Sequence, residues 1–258
     1  MTNETKLYKN LKLIFVDSTK VLAELMQNAR RAGAKHIRFM MSENSSNLIV
    51  EDDGVGIQNF QNLLHNSESG WDEETQLADN PFGLGFLSTL YAADEIIIES
   101  RGHQCKLIAE KVIAMEPAEV TTSDYIGHTR ITLVNFKLSA EETLSAVTTY
   151  SKGFAIPVHW NDKIIDRPHA IDQLKESLAL TIGIAEFNHR NPEYTQFYVQ
   201  GLPIQNPLSP RTRCDNVVHL DASFTVRMPD RHALYDSEKQ VDRITASIKE
   251  GWISKLHH

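Results

Sequence analysis

Glu24 and Asn28 stand four residues apart in the run Glu24-Leu25-Met26-Gln27-Asn28-Ala29. On a helix this spacing stacks the two on neighbouring turns of one face, which sets a proton acceptor beside an amide oxygen able to ligate a metal ion. Further along, Asp52-Asp53-Gly54-Val55-Gly56 joins an acidic pair to two glycines. The glycines permit a sharp turn and close approach of the backbone to a flat ring or a phosphate, and a carboxylate at the turn accepts a hydrogen bond from an exocyclic amine. Taken singly, Glu24 reads as an exposed helix glutamate and the acidic glycine turn as an ordinary loop. Taken together they suit an adenine nucleotide.

Those groups need elements to hold them. Ser18 or Thr19 caps a helix whose apolar positions Val21, Leu22, Leu25, Met26 and Ala29 recur at helical spacing, with Gly33 as its exit. Residues 35–40 then read as a strand, 44–47 as a turn and 48–51 as a second strand that delivers the acidic pair. Phe82-Gly83-Leu84-Gly85-Phe86 leads into a helix start over 86–91, where free amides and the helix dipole favour phosphate. Between Ile57 and Ser100 there is no lysine or arginine, so the charge of any phosphate there falls to backbone amides and a divalent ion. Residues 58–64 have helical character. The segment that follows, through Asn80, is polar, acidic and punctuated by Gly70 and Pro81, and reads as a mobile loop. Trp71 within it is either the anchor of that loop or a partner contact.

Residues 93–100, with Ile96-Ile97-Ile98, read as a buried strand, followed by a turn at Arg101-Gly102 and strands over 105–109 and 130–136. Residues 140–150 read as a helix capped by Ser139, and 154–165 as a hairpin about Asn161-Asp162. The economical arrangement is an α+β, two-layer α/β sandwich, a sheet covered on one face by helices. Past Arg167-Pro168 the apolar run 174–184, the alternating run 194–200, the turn at Gly201 and the strand-like run 217–228 suggest a smaller β-rich unit. The expected domains are therefore 1–167 and 168–258.

In this order the motifs resemble those of the GHKL ATPases, which share the Bergerat fold and include gyrase, MutL mismatch-repair proteins, the ninety-kilodalton heat-shock chaperone, Morc proteins and histidine kinases. The run from Glu24 to Ala29 resembles the family's asparagine box and Asp52-Asp53-Gly54-Val55-Gly56 its D-x-G-x-G box. Phe82-Gly83-Leu84-Gly85-Phe86 is similar to the second glycine box, and His128-Thr129-Arg130-Ile131-Thr132-Leu133 to the threonine strand that closes the site. The resemblance implies a mixed sheet and a site for ATP with Mg2+. It implies that Glu24 orients or deprotonates the attacking water, that Asn28 ligates the metal, and that Asp52 fixes the adenine amine with Thr129 in support. It further implies that Gly54, Gly56, Ile57, Gly83, Leu84, Gly85 and Phe86 line the nucleotide, under a lid formed by the polar loop. Three features depart from the family's pattern. Asn80 stands where the second box usually has its first glycine, Gln27 and Arg31 occupy positions that are often acidic, and His128 separates Gly127 from Thr129.

The function implied is ATP binding with slow, Mg-dependent hydrolysis that drives a conformational or dimerisation switch, with an ATP-dependent homodimer and an unidentified protein partner or client. The alternative is a nucleotide-sensing interaction module with negligible hydrolysis. A histidine kinase is disfavoured, since no helical region with a phosphoacceptor histidine precedes the boxes. In gyrase and MutL relatives a later domain sends a basic residue to the terminal phosphate. Arg211, Arg213, Arg227 and Arg231 qualify by charge alone, and each reads more readily as a solvated surface arginine.

Bulk composition narrows the field. A net charge of −8 over 258 residues gives no general attraction to nucleic acid. Cys105 and Cys214 are far apart and in no metal-ligand spacing, which suits a reducing compartment. No apolar run approaches the roughly 18 residues of a membrane span, so the expected location is cytoplasmic.

Overall fold

Asp17 opens the first helix. Its Oδ1 accepts hydrogen bonds from the backbone N–H and the hydroxyl of Thr19, at 2.9 and 2.6 Å, and α1 runs Thr19–Arg31. The sequence reading puts this cap on Ser18 or Thr19, yet Ser18 makes no capping bond. The Asp17 carboxylate takes the role instead, favoured by its charge at a helix N-terminus. Val21, Leu22, Leu25, Met26 and Ala29 are all buried, and Gly33 leaves the helix at φ +69°, the left-handed exit that glycine permits.

The computed structural model describes residues 17–63, 85–188, 195–208, 215–227 and 233–257. Two units divide the chain, Met1–Thr148 with Ile156–Ile165, and Thr149–Ala155 with Asp166–His258. In the first, β1 (Ile37–Met40), β2 (Leu48–Asp52), β3 (Glu95–Ser100), β4 (His103–Ile108), β5 (Val120–Thr122), β6 (Thr129–Val134), β7 (Val158–Trp160) and β8 (Lys163–Ile164) form one sheet. Its order is β5-β4-β3-β6-β2-β1-β7-β8. Neighbours are antiparallel except β1 and β7, which run parallel, so the sheet is mixed and the class is α+β. The strands match the sequence reading within a few residues except β5, which that reading lacks. The reading runs the strand after Arg101-Gly102 through residue 109, but Ala109 instead starts a short helix, α3 (Ala109–Ile113). The helix start at 86–91 is split into a 3-10 turn, Phe86–Ser88, and the single α-turn α2, Thr89–Ala92. Helix α4, Ala140–Ser151, begins with a capping box. The Ser139 hydroxyl accepts from the Glu142 N–H at 3.2 Å, and Glu142 Oε2 accepts from the Ser139 N–H at 2.8 Å.

Register sorts the sheet into two faces, because side chains alternate along each strand. Phe39, Val50, Ile131 and Ile98 form one cross-strand row, all buried on the core face. The adjacent row, Arg38, Glu51, Arg130 and Glu99, lies on the other face and alternates in sign. Arg130 Nε lies 2.7 Å from Glu51 Oε1, the flanking pairs Arg38–Glu51 and Arg130–Glu99 are each 3.7 Å apart, and the Arg130 guanidinium sits 4.1 Å above the Tyr125 ring. Cys105 is buried and its thiol pKa is raised by that burial, which suits an inert thiol. Cys214 lies outside the described residues.

The second unit carries a five-stranded sheet of β9 (Ser177–Leu180), β10 (Gly183–Asn188), β11 (Gln196–Val199), β12 (Leu202–Ile204) and β13 (Asp215–Leu220), in the order β12-β11-β13-β10-β9. It also carries a long helix, α5 (Ser237–Leu256), which the β-rich reading of this region lacks. Ile244 and Ile248 of α5 share one core with Phe187, Phe197, Val218 and Leu220. No helix among the described residues is long and apolar enough to cross a membrane.

Candidate functional site

The core face of the first sheet turns polar at one end. Ile37, Asp52 and Thr129 form the last row there, so Asp52 points to the same side as the buried strand residues and Glu51 to the opposite side. The Asp52 carboxylate accepts the Gly54 N–H at 2.9 Å and the hydroxyl of Thr129. Burial pushes its pKa up. The two hydrogen bonds oppose the rise, and the net shift is upward. Asp53 behaves otherwise. Its Oδ1 accepts the backbone N–H groups of Lys35 and His36 at 2.7 and 3.0 Å. Partial burial raises its pKa, but these bonds and the nearby His36 ring outweigh that and leave it lowered. Of the acidic pair, Asp53 pins the entry to β1 and Asp52 is the acceptor on the core side.

The turn after Asp52 closes onto α1 and β3. A Cβ at Gly54 would lie 2.6 Å from the Ala32 Cβ and 2.7 Å from the Ala32 oxygen, and the Val55 N–H donates to that same oxygen at 2.9 Å. Gly56 has φ +76°, and a Cβ there would lie 2.9 Å from Ser100 Oγ and 3.0 Å from the His128 oxygen. Ser100 ties these pieces together, since its hydroxyl donates to the His128 carbonyl and accepts the Ile57 N–H at 2.9 Å. Nothing in the sequence singles out Ser100, because a serine ending an apolar strand carries no pattern of its own.

Midway along α1, Glu24 is only 5% exposed. A Cβ on Gly85 would overlap its carboxylate. Gly85 has φ −60°, which any residue adopts, so glycine is required there for the space it leaves to Glu24. The Ser88 hydroxyl and N–H both return to the Gly85 carbonyl, at 2.6 and 3.1 Å, which fixes the turn into the half-buried Phe86. Glu24, Asn28 and Ala32 follow one another at four-residue steps, one face spanning about 12 Å by helix rise. The two glycine turns thus meet the same face of α1, one midway along it at Glu24 and one just past its end at Ala32, with Asn28 between them. Gly83, Leu84, Asn80, Trp71 and the acidic loop lie outside the described residues, as do Arg211, Arg213 and Arg231. Arg227 is exposed, in the second unit.

Asn28 is half-buried, and its Oδ1 accepts from Arg31 Nη1 at 3.2 Å. Among the described residues no three His, Cys, Asp or Glu side chains gather to hold a metal ion. A magnesium ion wants several hard oxygens at about 2.0–2.1 Å. Most of these come from phosphates and water when the ion arrives with a nucleotide, and Asn28 Oδ1 is a side-chain oxygen that this helix face would offer it.

Residues 16–135 match the family model described as histidine kinase-, DNA gyrase B-, and HSP90-like ATPase. The matched segment contains Glu24, Asn28, both glycine boxes and Thr129. No curated protein matches the chain.

Proposed function

Because residues 16–135 belong to the histidine kinase-, DNA gyrase B- and HSP90-like ATPase family, we propose that this chain binds ATP along the polar face of α1. In this reading it hydrolyses ATP slowly and uses it as a conformational or dimerisation switch. The observation that carries the reading is the convergence of both glycine turns on the helix face bearing Glu24 and Asn28. The adenine end is Asp52, whose carboxylate accepts the exocyclic amine while Thr129 and the Gly54 N–H hold it in place. Gly54, Gly56 and Ile57 let the base lie close to the backbone. The phosphates run along α1 past Asn28 toward the main-chain amides of Gly85 and Phe86, and the family resemblance adds Gly83 and Leu84 to their lining. Glu24, against Gly85, orients and deprotonates the attacking water.

The nucleotide-sensing alternative has one observation in its favour. Glu24 is 5% exposed, so an attacking water reaches it only if the side chain or its surroundings shift. A chain in which that shift is rare binds ATP and orders itself without turnover.

Isothermal titration of ATP and its non-hydrolysable β,γ-imido analogue, with phosphate release followed in parallel, tests both readings. Wild type is expected to bind, and Asp52→Ala to lose roughly a hundredfold in affinity, the cost of an unpaired amine in a buried site. Slow release in wild type supports the ATPase, and binding without release supports the sensor. No binding by the folded wild type ends both.

A further inference from the structure

We propose that the outer edge of β5 takes up an extended basic peptide of a partner protein as one more strand, with a lysine or arginine of that peptide drawn to the cavity beside it. The inference is independent of the nucleotide reading, since that cavity opens on the face of the sheet that Asp52 does not share.

The edge itself is open. β5 ends the sheet, its residues Val120, Thr121 and Thr122 are all exposed, and among the described residues no strand pairs with their outer side. The ladder shows which main-chain groups stand there. The Ser123 N–H donates to the Gly102 carbonyl at 2.9 Å, and hydrogen-bonded pairs alternate along an antiparallel ladder. Thr121 therefore bonds inward to Gln104, its partner on β4, while the N–H and C=O groups of Val120 and Thr122 point away from the sheet. Protein edges are commonly blunted by a very short strand, a lysine or a proline. The opposite edge, β8, is two residues long and carries Lys163. β5 carries neither lysine nor proline, and the apolar side chains of Val120 and Ile126 are exposed beside it.

Charge selects the occupant. From Val112 to Thr129 the chain has no lysine or arginine, while Glu116, Glu119 and Asp124 are acidic. Two copies of β5 side by side would set like charges together, and an acidic peptide would meet the same repulsion. Next to the strand lies a cavity of about 530 Å³ whose lining includes Thr122, Ser123, Asp124, Glu99 and Arg130. That lining has two carboxylates against one guanidinium, and the guanidinium is already engaged by Glu51 at 2.7 Å. The wall is fixed before any ligand arrives. The Ser123 hydroxyl donates to Glu99 at 2.7 Å and accepts the Tyr125 N–H at 3.1 Å, and the Gly102 N–H donates to the Tyr125 carbonyl at 2.8 Å.

Register joins the two features. The residue of an added strand that stands opposite Thr121 shares the sheet face of Thr121, Gln104, Glu99 and Arg130. A lysine or arginine there projects on the cavity's side, and its flexible stem lets the charge lean toward the exposed Asp124. Its two neighbours share the face of Val120, which suits β-branched apolar residues. Main-chain pairing supplies the affinity and the basic side chain the selectivity, the division of labour of peptides that extend a sheet.

The test titrates capped heptapeptides into the 15N-labelled full chain and follows the amide resonances. The probe alternates valine and threonine, with one lysine in place of the central threonine. A second peptide has glutamate at that place, and a third keeps the lysine but replaces both flanking valines by proline, which cannot pair as a strand. The lysine peptide is expected to bind with a dissociation constant on the order of 0.1–1 mM, as suits a small interface, and to shift the amides of Val120, Thr121, Thr122 and Asp124. The glutamate peptide is expected to bind at least about tenfold more weakly, and the proline peptide not at all. Asp124→Asn should bring the lysine and glutamate peptides within about threefold of each other, and salt at about 0.5 M should do the same to the unaltered chain. No binding of the lysine peptide at about 5 mM overturns the proposal. So do shifts confined to other strands, a proline peptide that binds as well, or a lysine preference that survives both Asp124→Asn and salt.

Discussion

At the Asp52 end of the α1 face, sheet register and main-chain hydrogen bonds fix the polar groups, whereas at the Glu24 end side chains of one helix meet a short turn. Asp52 is held by Thr129 and the Gly54 N–H, the Ile57 N–H by Ser100, and the Val55 N–H by Ala32. Glu24 instead occupies the space that the missing side chain of Gly85 leaves open, and Asn28 is held by a long, flexible arginine. A flat base is recognised by groups that do not move, and backbone geometry supplies them. A group that must be released after reaction is better handled by side chains that can rearrange. The two ends differ in rigidity because their tasks differ.

The sharpest way to break this comparison is Glu24→Gln. Phosphate release is expected to fall by about a hundredfold or more, the usual range for a lost general base, while calorimetric affinity for the imido analogue stays within a few-fold. A parallel loss of affinity would mean that Glu24 also supports binding and that the ends are not separable. The two glycines come next. Gly54→Ala drives a methyl into the Ala32 backbone, so the urea midpoint should drop by the equivalent of about 1–3 kcal/mol. Gly85→Ala meets only the end of a movable side chain, so stability should change by less than about 1 kcal/mol while turnover falls roughly tenfold as Glu24 is displaced. Equal stability losses in the two variants would erase the contrast.

The smallest effect concerns Asp52. Its folded pKa is raised by burial, so its ionisation costs stability, a cost absent below the unfolded value, growing as pH rises from there and complete above the folded value. Asp52→Asn should therefore raise the ligand-free melting midpoint at neutral pH by about one or two degrees, even as it weakens nucleotide binding. The gain should shrink to nothing as pH is lowered through the window just above the ordinary carboxylate range. A gain that persists in acid would point to something other than the buried charge.

Much of the first unit was legible because its signals are local. The apolar spacing of α1 and the alternation of β6 follow from periods of 3.6 and 2, and β3 from its short apolar run Ile96-Ile97-Ile98. The capping box at Ser139 and the turn at Asn161 follow from residue type. The long α5 was missed because part of its buried face is small and polar. Ser247 is buried there, and Gly251 packs so closely that a Cβ would lie 2.6 Å from Phe187, so the stripe that marks an amphipathic helix is broken. The cap at Asp17 was missed because Ser18 and Thr19 compete for it in sequence. Ser100 and the Ala32 carbonyl were invisible for a deeper reason, since each joins segments far apart in the chain or offers only main-chain atoms. The Arg31–Asn28 contact was within reach, since the two lie three apart on a helix that was correctly read.

Three consecutive carboxylates, Glu51, Asp52 and Asp53, end β2 and have three unrelated fates. Glu51 is one rung of the charged row, Asp52 is the acceptor on the core side, and Asp53 anchors the start of β1. Their side chains are nearly the same chemically, so the assignment is one of parity. Counting residues from the hairpin between β1 and β2 decides which acid faces inward. A slip of one place would leave composition and charge untouched, yet it would turn Asp52 outward and bury a neighbour whose partners are all on the wrong side. The identity of the site is thus written partly in the length of a hairpin that never touches it.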